Sequence, residues 1–322
     1  MADRYAESWL QLETATGGRT ALQGGVSDIR AQFAGLFAAL SPGYPLPSDA
    51  VAVTNGNVQG VGYRIYTPQS GKTMGPLPLG VFMHGGGFIL GDLDAEDFLC
   101  REFAEKAGTI LISVDYRLAP EHEHPVQLQD TMTIIEWAYA NASSLGADAN
   151  RLFTIGTSAG ATLALLSARK IVSGRSKVPA TALSGVIAVS PVTVHPDNIP
   201  EKFQAAHNSY KEFGEGAPVL TRSVMTQFLQ LVRATPEDSS SFILLDDTVL
   251  GNFPPVYVST AECDPLRDDG KVLAAALKDA GVSVHEVLYK GMPHCFWFFN
   301  TLPEWSAFSQ DTVSAIKWIQ SR

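Results

Sequence analysis

Long apolar runs are missing from this chain of 322 residues: nothing approaches 18 uninterrupted apolar residues, so no helix is expected to span a bilayer. The opening MADRYAESWLQLE has acids where a secretion signal has a basic segment and an apolar core, so a soluble, cytoplasmic protein is expected. Cysteine is scarce. Cys100, Cys263 and Cys295 are odd in number and lack zinc-ligand spacing, so neither a disulfide framework nor a metal site is expected. Basic residues are also few, 23 against 33 acids for a net charge of −10, which argues against nucleic acid or an anionic membrane as partner. No fixed-period repeat occurs, and Asn141-Ala142-Ser143 matches a glycosylation acceptor only by chance.

What the chain does have is 45% hydrophobic residues, enough for one large α/β domain or two smaller ones. Helices are expected at 5–14 and 27–40, the second with Ile29, Phe33, Leu36 and Leu40 on one face. Val51–Tyr66 carries the alternation of a half-buried antiparallel strand, and Thr67–Pro78 reads as a surface loop. Short apolar runs then follow at Leu79–Met83, Thr109–Val114, Leu152–Ile155, Val186–Val189, Val256–Ser259 and Val284–Leu288. Helical stretches near 95–107, 126–142, 159–173, 269–280 and 305–320 lie between or after them. This alternation predicts a mostly parallel sheet with helices on both faces and sites at the carboxyl ends of its strands.

More than sixty residues separate the strand ending near Ser190 from the one opening near Pro255, too many for a simple loop. At least two helices are expected there. The division that follows is N-terminal helices at 1–48 contributing to a cap, a core of 49–190 and 251–322, and a cap insertion at 191–250. Ordinary crossover helices with long connections are the plainer alternative.

Arg151–Leu166 holds a strand, the turn Gly156-Thr157-Ser158-Ala159-Gly160, and a helix. Such a turn strains its serine backbone, lifts the hydroxyl off the sheet and points the first helix amides at the place where negative charge develops. A buried turn of small packing residues would look much the same. The strand at Leu79 runs into His84-Gly85-Gly86-Gly87-Phe88, whose bare backbone can aim amides at one point. Gly85 and Gly86, with Ala159, are the expected oxyanion donors; a phosphate loop would need a following lysine and Ser or Thr. Of seven histidines, His122 and His124 lie in a Pro- and Glu-rich turn, His195 and His207 in the proposed cap, and His285 in a strand. His84 is expected to make a structural hydrogen bond. His294, in a turn after a strand, is the expected base, and Asp264 its orienting acid, ahead of Glu262 and Asp268. Asp268 or Asp269 is expected to cap the next helix.

The order Ser158, Asp264, His294, together with His84–Gly87, Asp115-Tyr116-Arg117-Leu118-Ala119-Pro120-Glu121, Gly156–Gly160 and Asp264–Asp268, resembles the hormone-sensitive lipase family of α/β-hydrolase-fold esterases over roughly residues 60–320. The resemblance implies hydrolysis of short- to medium-chain or small-molecule carboxylic esters through an acyl-serine, with a cap shaping the pocket, no cofactor, and a bracing role for Tyr116–Glu121; a homodimer stays open. Thr157 departs from the aspartate commonest before the serine, and Ala161 from a common glycine. Phe88, Ile89, Leu90, Phe213, Phe296 and Trp297 are the expected pocket residues, each of which could equally be core. Acyl transfer or lactone formation, amide cleavage, and a non-catalytic receptor are the alternative functions. Cys263 and Cys295 each adjoin a proposed catalytic residue, so their thiols are expected near each other, with packing as their principal role.

Overall fold

The apolar runs become strands of one sheet, all inner except Val284–Leu288, which forms a largely exposed edge, in a computed structural model that describes residues 4–19, 21–69 and 75–321. Two helices open the chain, α1 (Glu7–Ala15) and α2 (Val26–Leu40). Next come β1 (Val51–Val58), β2 (Val61–Pro68), β3 (Leu77–Met83), α3 (Asp97–Ala107), β4 (Ile110–Asp115), α4 (Val126–Ala140), the short α5 (Ala142–Leu145), β5 (Ala147–Thr157), α6 (Ala159–Val172) and β6 (Leu183–Val189). After the long connection lie β7 (Val256–Ala261), α10 (Arg267–Asp279), β8 (Val284–Tyr289) and α11 (Pro303–Gln320). The connection itself contains α7 (Glu201–Gln204), α8 (Ser209–Glu212) and α9 (Arg222–Val232).

The eight strands are ordered β1-β2-β4-β3-β5-β6-β7-β8. β1 and β2 pair antiparallel, as do β2 and β4, and every other neighbouring pair is parallel. This is an α/β-hydrolase fold. The crossed order matters to the site, because it sets β3 beside β5, with Met83 opposite Gly156. The glycine loop after β3 and the turn after β5 thus emerge together.

Two local differences from the sequence reading have simple causes. Val51–Tyr66 is a hairpin rather than one strand, turning at Gln59 and Gly60, both at positive φ (53° and 88°), with Asn57 Oδ1 accepting from Gly60 N–H at 2.9 Å. The loop expected at Thr67–Pro78 narrows to the residues between β2 and β3, of which 70–74 lie outside the described residues. Among the described residues no helix is long and apolar enough to cross a membrane.

α1, α2 and the 191–250 segment meet above the carboxyl ends of the strands. Ala21 bridges to Val219, and Gln227 Nε2 donates to Gly24 O. Thr221 caps α9 by accepting from Val224 N–H, and α9 buries Val224, Met225, Phe228, Leu229 and Val232 on its inner face. Below, the segment is fastened by the two acids expected to cap α10. Neither does so, since no side chain caps that helix. Asp268 Oδ2 accepts from the amides of Asn208 and Ser209 at 2.7 and 2.8 Å. Asp269 Oδ1 accepts from Thr193 N–H at 2.7 Å, and its Oδ2 lies 2.9 Å from His207 Nε2, with both side chains fully buried. Removing one partner of such a pair strands the others away from water. Asp269→Ala is therefore expected to cost about 3–5 kcal/mol of folding stability, measured by urea unfolding.

Candidate active site

Ser158 sits at φ 53° and ψ −121°, between β5 and α6. Glycines on either side make that turn possible. A Cβ on Gly156 would stand 2.3 Å from the Gly160 carbonyl carbon, and one on Gly160 would stand 2.0 Å from Met83 O. The backbone is held from below by Ser158 N–H donating to Val189 O at 2.7 Å.

His294, in the turn after β8, places Nε2 2.9 Å from Ser158 Oγ and Nδ1 2.7 Å from Asp264 Oδ2. Asp264 follows β7, and its other oxygen accepts from Leu266 N–H at 2.8 Å. The two turns are laced together: Cys263 N–H donates to Met292 O, and Glu262 Oε2 accepts from Gly291 N–H. Glu262 and Asp268, the rival acids, are thus engaged elsewhere. With Asp264 ionised, Nδ1 carries the proton it donates, which leaves Nε2 free to accept from the serine hydroxyl. Burial pulls the His294 pKa down, but the Asp264 carboxylate and its hydrogen bond, with a contribution from Cys295, outweigh it and hold the imidazole well above its usual range.

His84 makes a structural contact. Its Nδ1–H donates to Gly85 O at 2.8 Å, its ring stacks on Tyr116, and burial pushes its pKa down to about 4. Tyr116 O–H in turn donates to His84 O, and Arg117 forks onto Asp130. None of the other five bonds to the serine: His122 N–H donates to Leu118 O, His124 meets Ser240, His195 accepts from Asp197 N–H, His207 meets Asp269, and His285 is exposed on β8.

The glycine loop requires one correction. Gly85 is not an available oxyanion donor, because its N–H already donates to Glu96 Oε2 at 2.7 Å. Gly86 and Gly87 line the cavity with Ser158, and among the described residues their amides and that of Ala159 donate to no protein partner. Gly86 is held at φ 119°, where a Cβ would stand 2.2 Å from Leu90 O. Glu96 was not singled out from the sequence. It sits among the acids Asp92, Asp94 and Asp97, and only its burial distinguishes it.

The cavity at Ser158 and His294 is about 40 Å³ and is walled by Phe88, Leu90, Val192, Leu229, Phe298 and their neighbours. Four expected pocket residues are elsewhere. Ile89 faces a separate groove beside Arg30 and Phe37. Phe213 is buried between Arg4 and Arg267. Phe296 and Trp297 pack with Phe308, and Trp297 meets the His294 ring edge-on, 5.3 Å away. The 3-10 turn Phe296–Phe298 explains this: with three residues per turn its side chains fan apart, and Phe298 alone of the three reaches the cavity. Cys295 also lines the cavity, whereas Cys263 Sγ–H donates to Arg4 O. Leu22, Phe33 and Val219 are shared with a second cavity of about 640 Å³, formed by α1, α2 and Pro218 and also lined by Trp9, Leu36 and Arg19.

The model of a family described as having the alpha/beta hydrolase fold matches residues 80–298. The chain is 42% identical over 324 residues to a versiconal hemiacetal acetate esterase of Dothistroma septosporum, covering 100% of this chain and 97% of that one. It is 32% identical over 226 residues to an ethyl acetate hydrolase of Pseudomonas putida, covering 70% and 67%. Among solved structures, vibralactone cyclase superposes with a TM-score of 0.88 at 28% identity, covering 99% of this chain and 95% of that one.

Two outcomes follow from the geometry. A raised His294 pKa keeps the imidazole protonated to higher pH, so the base form is lost as pH falls through that pKa. The rate at which a phosphonate labels Ser158 is expected to rise with pH through a midpoint above 6.5, read by mass spectrometry. Gly86→Ala should slow labelling about 100-fold or more, through displacement of a loop amide, while leaving the far-ultraviolet circular dichroism unchanged.

Proposed function

The chain belongs to the α/β-hydrolase family and is a serine carboxylesterase acting on small esters, and from that premise we propose that Ser158, His294 and Asp264 carry the reaction. The observation that supports this most directly is the unbroken hydrogen-bonded line from Asp264 through His294 to Ser158. His294 takes the hydroxyl proton as Ser158 Oγ bonds to the ester carbonyl carbon. Amides of Gly86, Gly87 and Ala159 receive the oxyanion. The carbon–oxygen bond to the alcohol then breaks, and His294 delivers the proton to that alcohol. Water adds to the acyl-serine by the same route and releases the acid. Within the family, the His84–Gly87 and Gly156–Gly160 motifs support reading the chain as a member of the hormone-sensitive lipase group, with α1, α2 and residues 191–250 together as its cap.

The unequal cavities favour a substrate with a small acyl group and a bulky alcohol. About 40 Å³ beside Ser158 suits an acetyl-sized group, and about 640 Å³ beyond it accommodates a ring system. The esterase named for versiconal hemiacetal acetate, an acetyl ester, is in keeping with that division. A second reading has one specific support, the likeness to vibralactone cyclase: an alcohol within the acyl chain, rather than water, would release the acyl-serine as a lactone.

Hydrolysis of 2-naphthyl esters from acetate to octanoate tests both. Acetate is expected to be turned over at least tenfold more efficiently than octanoate, and Ser158→Ala should lose activity by about 10⁴-fold or more. Equal turnover by Ser158→Ala would remove the assignment of the nucleophile. A hydroxyacyl ester released as lactone in place of free acid would favour the second reading.

A further inference from the structure

Glu96 is the N-cap residue of α3, yet its side chain does not cap that helix. It turns inward and is 2% exposed. Its Oε2 accepts from Gly85 N–H, and the Thr157 hydroxyl stands 2.9 Å from both of its oxygens. Both contacts lie one residue from catalytic groups: Gly85 precedes Gly86, and Thr157 precedes Ser158. No lysine or arginine pairs with Glu96 among the described residues. The ionisable groups facing it are His294, Tyr44, Cys100, Tyr116 and Cys295, joined by the Trp297 indole. Of these only His294 becomes a cation at ordinary pH.

An ionised carboxylate buried without a permanent cation weakens the fold. Burial pushes the Glu96 pKa up to about 7, against the opposing pull of the Gly85 amide, the Thr157 hydroxyl, the Trp297 indole and His294. A neutral side chain of the same shape would satisfy Gly85 and Thr157 at less cost. What the charge adds is an anion close to the one group that becomes positive during the reaction.

We propose that ionised Glu96 is a positioning residue of ester hydrolysis: through Gly85 it fixes the loop carrying Gly86 and Gly87, and its charge favours the His294 imidazolium that forms as Ser158 attacks. The inference rests on the roles assigned above to Ser158 and His294. It also accounts for Thr157. An aspartate there would set two carboxylates against each other, whereas threonine supplies one hydroxyl proton shared between the two Glu96 oxygens. Glu96 and Thr157 form one unit that joins the oxyanion loop to the serine turn.

The test compares the parent enzyme with Glu96→Gln, Glu96→Ala and Ser158→Ala. It reads kcat and KM on p-nitrophenyl acetate from pH 6 to 9, and Tm at pH 8. Gln preserves the shape and both polar contacts but removes the charge. For Glu96→Gln, kcat is expected to fall about tenfold, the effect of losing one buried anion near the imidazolium, with KM within about twofold. Its acid limb should move to lower pH, because His294 loses an anionic neighbour. Its Tm at pH 8 should stay level or rise: a carboxyl whose folded pKa lies above its unfolded value loses its stabilising contribution as pH rises through about 7, and Gln removes that loss. Glu96→Ala also frees the Gly85 amide and should fall about 100-fold in kcat.

A Glu96→Gln enzyme with parental kcat and an unmoved acid limb overturns the proposal. So does a fall in kcat matched by a fall in Tm, which would mark a packing role. Turnover by Ser158→Ala would instead overturn the assignment of the nucleophile, and this proposal with it.

Discussion

The positive φ of Ser158 is the constraint from which the site is built. A non-glycine residue holds that conformation only where its surroundings compel it. Here the Val189 carbonyl fixes the amide from below, and Gly156 and Gly160 leave room for close backbone contact on both sides. Gly160 in particular lies against the carbonyls of Met83 and His84, so the helix after the serine is pressed onto the strand that feeds the glycine loop. One strained turn thereby fixes Ser158, the Ala159 amide and their distance to the glycine loop together.

Buried and half-buried carboxylates do the rest of the positioning, and each has a different task. Asp264 faces His294, Glu262 holds the turn that carries His294, Glu96 joins the two loops at the oxyanion side, and Asp268 and Asp269 anchor the segment above. Four of these five lie within eight residues of chain, 262–269. The turn after β7 therefore holds Asp264 against His294 on one side and anchors residues 193–209 on the other. A shift in that turn would disturb both, which makes the rigidity of the β7–α10 junction a shared requirement.

What was legible in the sequence was local. The sheet could be read because its inner strands are continuous apolar runs, and Ser158, Asp264 and His294 could be read because each stands in a turn at a strand end with a recognisable neighbourhood. The features that escaped depend on residues distant in sequence. Which glycine amide is free depends on Glu96, eleven positions beyond Gly85. That Asp269 fastens His207 rather than capping α10 depends on a contact across 62 residues. The aromatic run 296–299 failed for another reason: a 3-10 turn sends successive rings in different directions, and composition does not say which one faces the cavity. The hairpin at Gln59-Gly60 was missed because glutamine rarely takes positive φ.

The larger cavity is walled by α1, α2 and residues near 218–219, stretches of chain that contribute none of the hydrogen bonds linking Ser158, His294 and Asp264. The wall and that line of hydrogen bonds meet where Ala6 N–H, just before α1, donates to Gly291 O in the turn that carries His294. On the reading proposed above, substitutions in the wall away from that contact change which alcohol fits while leaving Ser158, His294 and Asp264 bonded to one another. The strained serine turn lies outside that wall and is untouched by such changes.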